Sequence, residues 1–255
     1  MTMSLSSLLT TDLAAHLLFV LFVAFSVYVQ TLTGFALSLM LLGLVGLTHL
    51  FALPDAVNAV SFLTVVNAAT FLRRRRPVRI EPAMKTAVLA SIAGSFVGMA
   101  ILIHLAAHSL QQLRTLLGLS IIGCALLLWR LGQPRATTSP PRAFAAVGVL
   151  SGVLGGLFSA AGPPLVYLVY RQPWPLARIQ ESLIFAFGMG ALLRLVVLGL
   201  AGQISAQSLL LAATAIPVVL LVTLLSANRK PPFSPAVLKH LVCLLLIAAG
   251  GGMLV

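Results

Sequence analysis

Charge is what this sequence has least of. Lys and Arg total 16, Asp and Glu total four, and together they make up 8% of 255 residues. An ordinary soluble domain carries roughly 25%. So few charges cannot coat a water-soluble surface, which excludes a soluble enzyme and any sizeable extramembrane domain. Cysteine is equally scarce: Cys124 and Cys243 both lie inside apolar runs and read as small core hydrophobes, which excludes a disulfide scaffold. Aromatic residues do not interleave with the basic ones, so the net charge of +12 does not describe a base-stacking nucleic-acid surface. In a membrane chain such an excess reads as loop bias that sets orientation.

Chemistry-bearing motifs are absent as well. There is no HExxH, and the five histidines (His16, His49, His104, His108, His240) lack metal-ligand spacing. Gly148-Val149-Leu150-Ser151-Gly152 is not the GxSG of an intramembrane serine protease, and no glycine-rich loop resembles an ATP site. Neither catalysis nor a metal or other cofactor is expected, and a pump would need a separate energising subunit. The amino terminus has no positive region ahead of its apolar stretch, so the first apolar segment is expected to stay in the protein. The four carboxylates, Asp12, Asp55, Glu81 and Glu181, sit at or near segment ends. Cation pathways and proton relays usually place one deep in a span, so an anion is the favoured cargo and tight proton coupling is disfavoured.

What the chain does have is apolar length: 60% of residues are hydrophobic and mean hydropathy is +1.11. Its length accommodates about eight to ten spans of about 20 residues. Apolar runs fall at about 13–33, 35–51, 56–72, 85–105, 112–131, 143–161, 163–170, 179–201, 207–226 and 236–255. In hydrocarbon these must be helices, since open strands would leave backbone groups unpaired. Thr33-Gly34-Phe35 and Ala161-Gly162-Pro163-Pro164 interrupt apolar sequence with no polar loop. The run after the second break rises only about 12 Å, far short of a ~30 Å core, and reads as half of a broken or re-entrant pair.

Residues 132–142, GQPRATTSPPR, form a proline-rich polar linker, expected to be cytoplasmic, between residues 1–131 and 143–255. Each half has five runs, opens on a run ending at a glycine break (Gly34, Gly162), and continues through a proline junction (Pro54; Pro173 and Pro175). The last runs begin alike, Leu113-Arg114-Thr115-Leu116 and Leu238-Lys239-His240-Leu241. An odd number of runs makes the second copy enter upside down. The expected fold is therefore an all-α integral membrane protein of two inverted-topology repeats. Each repeat is a broken or re-entrant helix pair plus three transmembrane helices. Charge agrees. With Arg73–Arg76 placed in the cytoplasm, every basic residue except Arg114 and Arg194 falls in an inner loop, and the outer junctions 1–12, 52–55, 106–111 and 202–206 hold none. Both termini are then periplasmic.

A broken membrane helix exposes N–H groups and the positive end of a dipole where its second part begins, an arrangement that binds anions. Gly162 permits the turn and Pro163-Pro164 suits a first helical turn; Thr33-Gly34-Phe35 is the counterpart. Arg194, within an apolar run, is costly to insert and faces either a wet cavity or partner, or snorkels to the outer interface. Gln30, Asn58, Asn67 and Gln180 are amides in or beside apolar runs, serving packing or substrate. Gly94 with Gly98, and Gly152 with Gly156, have the spacing that lets helices pack closely. Arg178 and Glu181 are spaced for an i,i+3 ion pair.

The stretch Gln30-Thr31-Leu32-Thr33-Gly34-Phe35-Ala36-Leu37 resembles the opening of the first half in the TauE/SafE sulfite exporter family. Gly148, Gly152, Gly155-Gly156-Leu157-Phe158 and Ala161-Gly162-Pro163-Pro164 resemble its second-half signature, and the likeness runs from about residue 13 to the carboxyl end. It implies a bacterial inner-membrane protein that moves sulfite, organosulfonates or related oxyanions, often outward. Ala36 and Ser159, like Ala161, stand where that family often has glycine, which narrows the expected site. The substrate-binding set expected is Gln30, Thr33, Gly34, Phe35, Asn58, Gly162, Pro163, Pro164 and Arg194. The expected mechanism is secondary transport by alternating access, with an anion channel or a membrane scaffold subunit as alternatives. The partners expected are a small anion and the lipid bilayer, not nucleic acid, and the chain is compatible with a homodimer.

Overall fold

The computed structural model describes residues 5–78, 80–130, 133–159, 162–227 and 235–252. Arg79, Arg229 and Lys230, assigned to inner loops, and Ala161, last of the sixth apolar run, lie outside the described residues. All regular structure among the described residues is helical. The helices are α1 Leu5–Thr33, α2 Leu37–Thr48, α3 Leu53–Arg74, α4 Pro82–His108 and α5 Leu110–Trp129, then α6 Pro141–Phe158, α7 Gly162–Tyr170, α8 Leu176–Leu200, α9 Ala206–Ser226 and α10 Pro235–Gly252. Prolines in the first turn start α3, α4 and α6, where their missing N–H is no loss. Ser109 and Ser205 cap α5 and α9, accepting the N–H groups of Gln112 and Ser208.

Among the described residues seven helices, α1, α3, α4, α5, α6, α8 and α9, are long and apolar enough to cross a membrane, and Cys243–Gly252 of α10 is a shorter apolar stretch. The 12 residues of α2 and the nine of α7 rise only about 18 Å and about 14 Å, too little for a ~30 Å core. Each folds back on its predecessor. Rings of His16 and Phe19 in α1 meet Phe51 beyond α2, at centroid distances of 5.2 and 5.7 Å. The α6–α7 pair closes in the same way. Phe144 stacks on Trp174 at 5.9 Å, and the Arg135 N–H donates to the Arg171 carbonyl at 2.8 Å.

The long helices take their direction from contacts at their ends. Asn58, near the start of α3, donates to the Gln203 carbonyl just past α8 at 3.1 Å. Arg178, at the start of α8, pairs with Glu81 ahead of α4 at 2.6 Å. The helices α3 and α8 are thus antiparallel. Arg178 forms this ion pair rather than the i,i+3 pair with Glu181 that spacing suggested, because the start of α4 brings Glu81 within reach. The helices α3 and α9 run parallel: the Asp55 carboxylate accepts from Ser205 Oγ at 2.5 Å, and Arg75 Nε donates to the Ala227 carbonyl at 2.8 Å. The α1–α2 hairpin therefore opens on the face where α3 begins, and the α6–α7 hairpin on the opposite face, where α8 begins. Moving five helices along the chain turns the α4–α6 packing into α9–α1, α5–α7 into α10–α2, and α3–α9 into α8–α4; all six packings are present.

The α4–α6 interface is the closest. A Cβ added at Gly94 or Gly98 would lie 2.1 Å from the Val149 or Val153 carbonyl oxygen, and one at Gly152 or Gly156 would lie 2.2 or 2.3 Å from that of Ser91 or Ser95. Only glycine lets these backbones touch. Leu13, Leu21, Leu89, Leu200 and Leu244 are each more than 60% exposed, an apolar surface suited to lipid and not to water.

Candidate functional site

The tips of the two hairpins meet inside the molecule. At the first tip α1 ends on Gly34, whose N–H donates to the Gln30 carbonyl at 2.6 Å and whose φ is +82°. A Cβ there would lie 2.8 Å from the Gln180 Cα of α8, so both conformation and space demand glycine. At the second tip α6 ends on Ser159, bonded back to Gly155 at 2.8 Å, and α7 starts at Gly162 with φ +47°. Three hydrogen bonds tie the first tip to the second half. Ser38 Oγ donates to the Ser159 carbonyl at 2.7 Å, the Tyr170 hydroxyl to the Thr33 carbonyl at 2.5 Å, and Gln180 Nε2 to the Leu32 carbonyl at 2.5 Å.

Between the tips lies a cavity of about 10 Å³ walled by Gln30, Phe35, Ala36, Ser38 and Leu39 on one side and Ser159, Gly162, Val166 and Phe187 on the other. That volume is near the minimum for one water molecule. The first turns of both short helices face it. No side chain caps α2 at Ala36. Gln30 Oε1 accepts the Leu37 N–H at 3.0 Å, and the Met40 N–H is the first to bond back, to Ala36 at 2.8 Å. The N–H groups of Ser38 and Leu39 precede that bond and have no acceptor within the helix. In α7 the same turn contains Pro163 and Pro164, which carry no N–H, so α7 supplies its dipole with fewer donors.

Two wall residues hold backbone conformations that side chains rarely adopt: Ala36 has φ 91° and Ser159 φ 53°. Such a residue costs of order 1–3 kcal/mol and persists only where its surroundings hold it. These are the positions where the sequence has a side chain in place of an expected glycine. The Ser159 hydroxyl is buried and has no hydrogen-bond partner.

Gln30, Phe35 and Gly162 of the expected set line the cavity. Thr33 and Gly34 stand behind it, the single Thr33 hydroxyl proton shared between the Val29 and Phe35 carbonyls, each 2.8 Å from Oγ1. Pro163 and Pro164 begin α7 without reaching the wall. Asn58 does not line it; its Nδ2 holds Gln203 and its Oδ1 is buried without a partner. Gln30 Nε2 donates to Asn67 Oδ1 at 2.9 Å, and Asn67 Nδ2 to Thr223 Oγ1 at 2.8 Å, so this buried chain fixes the Gln30 amide.

Arg194 is wholly buried and does not snorkel. Its Nε donates to the Gly156 carbonyl at 3.0 Å and its Nη1 to Ser61 Oγ at 2.7 Å, while Nη2 is buried with no partner. Among the described residues no carboxylate pairs with it. It lies two turns beyond the wall residue Phe187 on the same face of α8, about 10 Å along the axis, and helical side chains lean back toward the helix start. Sequence reasoning did not find Ser38, Leu39, Val166, Phe187 or Tyr170; nearness to a break pointed to the first three, and nothing pointed to Phe187, 25 residues beyond Gly162.

The family described as Sulfite exporter TauE/SafE matches residues 17–253. The chain is 31% identical over 227 residues, 89% of each chain, to the "Probable sulfite/organosulfonate exporter TauE" of Cupriavidus necator. No solved structure matches it significantly. With a match across nearly the whole chain and a multi-pass apolar helical fold, the protein belongs to the TauE/SafE sulfite exporter family, whose members are membrane transporters and not enzymes.

Proposed function

We propose that this protein exports sulfite or a small organosulfonate across the bacterial inner membrane by alternating access, as an inverted repeat whose hairpin tips hold the anion between them. The observation that carries this reading is the cavity bounded by the first turns of α2 and α7, where two helix dipoles present their positive ends. Backbone N–H groups of Ser38 and Leu39 are donors, Ser159 and Gly162 form the opposite wall, and Arg194 adds positive potential without a competing carboxylate. The helix exchange under a five-place shift supports the repeat, and the entry of the hairpins from opposite faces supports its inversion. Each hairpin then blocks one route to the cavity. The Ser38–Ser159 bond between the tips, with those of Tyr170 and Gln180 to the first tip, holds both routes shut, and passage needs one tip at a time to withdraw.

Flux of sulfite in proteoliposomes tests the site. Gly34→Leu and Gly162→Leu, each inserted normally, are expected to lose at least about 90% of wild-type flux. Wild-type flux in both would reject the site. Counterflow tests the mechanism: trans sulfite accelerates uptake through a carrier and leaves a channel unaffected.

A further inference from the structure

We propose that Ser159 binds the transported anion directly and sets the size of anion accepted, its hydroxyl donating to a substrate oxygen from the α7 side of the cavity. This rests on the reading of that cavity as the transport site. Three independent features of the residue converge. It is 5% exposed and forms part of the cavity wall, yet its hydroxyl has no partner in the protein. A hydroxyl so placed normally finds an acceptor, and an oxyanion in the cavity supplies one. Its backbone has φ 53°, a conformation that glycine would adopt without penalty, so a side chain here is retained against a conformational cost. Its carbonyl is held by Ser38 Oγ from the opposite hairpin, which fixes where the residue stands relative to α2.

The chemistry of α7 supplies the need for this donor. Pro163 and Pro164 remove two N–H groups from the first turn of that helix, so the α7 side faces an anion with dipole but few hydrogens. The Ser159 hydroxyl restores one. The same side chain occupies space in a cavity of about 10 Å³. The cavity must therefore widen to admit any anion, and a side chain at 159 limits that widening more for an alkyl sulfonate with its carbon tail than for compact inorganic sulfite, a sulfur with three oxygens.

The test uses the full-length protein with sodium sulfite and sodium ethanesulfonate as probes. Binding is read by calorimetry, flux in proteoliposomes, and ligand-free melting in detergent. Ser159→Ala removes the hydroxyl alone and is expected to weaken sulfite binding about tenfold or more, as for a hydrogen bond to a charged group, with ligand-free melting unchanged. Ser159→Gly also opens space; it is expected to weaken sulfite binding similarly, to raise the ethanesulfonate-to-sulfite flux ratio severalfold, and to melt no lower than wild type. Sulfite affinity within twofold of wild type in Ser159→Ala, with Gly162→Leu inactive, overturns the Ser159 assignment and leaves the site standing. A clear fall in ligand-free melting of Ser159→Ala also overturns it, because the hydroxyl would then serve the fold. Wild-type flux in both glycine variants overturns the site itself.

Discussion

At the scale of single residues the strongest electrostatic feature is Arg194, a cation wholly enclosed by α3, α6 and α8. Its bonds to Gly156 and Ser61 satisfy part of the guanidinium, and they also clamp three helices. Clamping and attracting an anion are separable. A unit charge about 10 Å away at an effective dielectric near 20 contributes about 1.7 kcal/mol, roughly tenfold to twentyfold in affinity. Arg194→Met keeps length and removes charge; apolar replacement of a buried ion is often tolerated by the fold. We expect it to weaken sulfite binding by about tenfold. Arg194→Lys keeps the charge without the planar fork and should recover most of that affinity while melting lower than wild type. The sulfite-dependent rise in melting temperature measures both. If Lys and Met variants bind alike, the guanidinium acts through its hydrogen bonds and not its charge. The existence of this cation was legible in the sequence; its partners were not, because they come from residues 38 to 137 positions away.

At the scale of elements, the breaks at Gly34 and Gly162 were legible, since glycine without a polar loop marks a backbone interruption wherever it falls in apolar sequence. The short second arms followed from length alone. The facing of helices was not legible. A membrane helix is apolar toward lipid and apolar toward its neighbours, so the stripe that tells inside from outside in a soluble protein vanishes. The glycine-spaced pairs of α4 and α6 are the exception, because close packing selects by size instead of polarity. Their contact gives a sharp expectation. At Gly152 a Cβ would lie 2.2 Å from the Ser91 carbonyl oxygen, whereas at Gly123 of α5 nothing lies within 4 Å. Gly152→Leu forces two backbones apart and should cost more than about 3 kcal/mol, enough to prevent recovery of monodisperse protein. Gly123→Leu should leave stability within about 0.5 kcal/mol of wild type. Size-exclusion profiles of the two variants before and after heating separate these outcomes. Equal behaviour would mean that α4 and α6 do not meet through their glycines. The strained backbones of Ala36 and Ser159 were marked only by the family resemblance, which expects glycine at both. Nothing in an alanine or serine announces a positive φ, which the surrounding hairpin imposes.

At the scale of the whole molecule, orientation follows from joining the distribution of charge to the direction of the helices. The contacts Arg75 to Ala227, Arg178 to Glu81 and Arg135 to Arg171 gather ends of α3, α9, α8, α6 and α7, and every one involves arginine. The opposite ends of α3, α8 and α9 meet through Asp55, Asn58, Gln203 and Ser205, with no basic residue among them. Basic loops tend to stay in the cytoplasm, so the arginine face is expected inside. The chain then enters α1 from the other side, since His16 and Phe19 lie level with Phe51, just ahead of α3. On that orientation α10, which rises about 27 Å, is expected to cross back as an eighth span. Both termini are therefore expected in the periplasm. The native thiols make this measurable: Cys124 and Cys243 are both buried, so a membrane-impermeant maleimide should leave the wild-type protein unlabelled in intact cells. A cysteine added ahead of Met1 or after Val255 should label without permeabilisation, and one placed at Thr137 in the linker, exposed in the fold, should label only after it. Labelling of one terminus but not the other would mean an odd number of crossings and would break the inversion on which a shared site at the two hairpin tips depends.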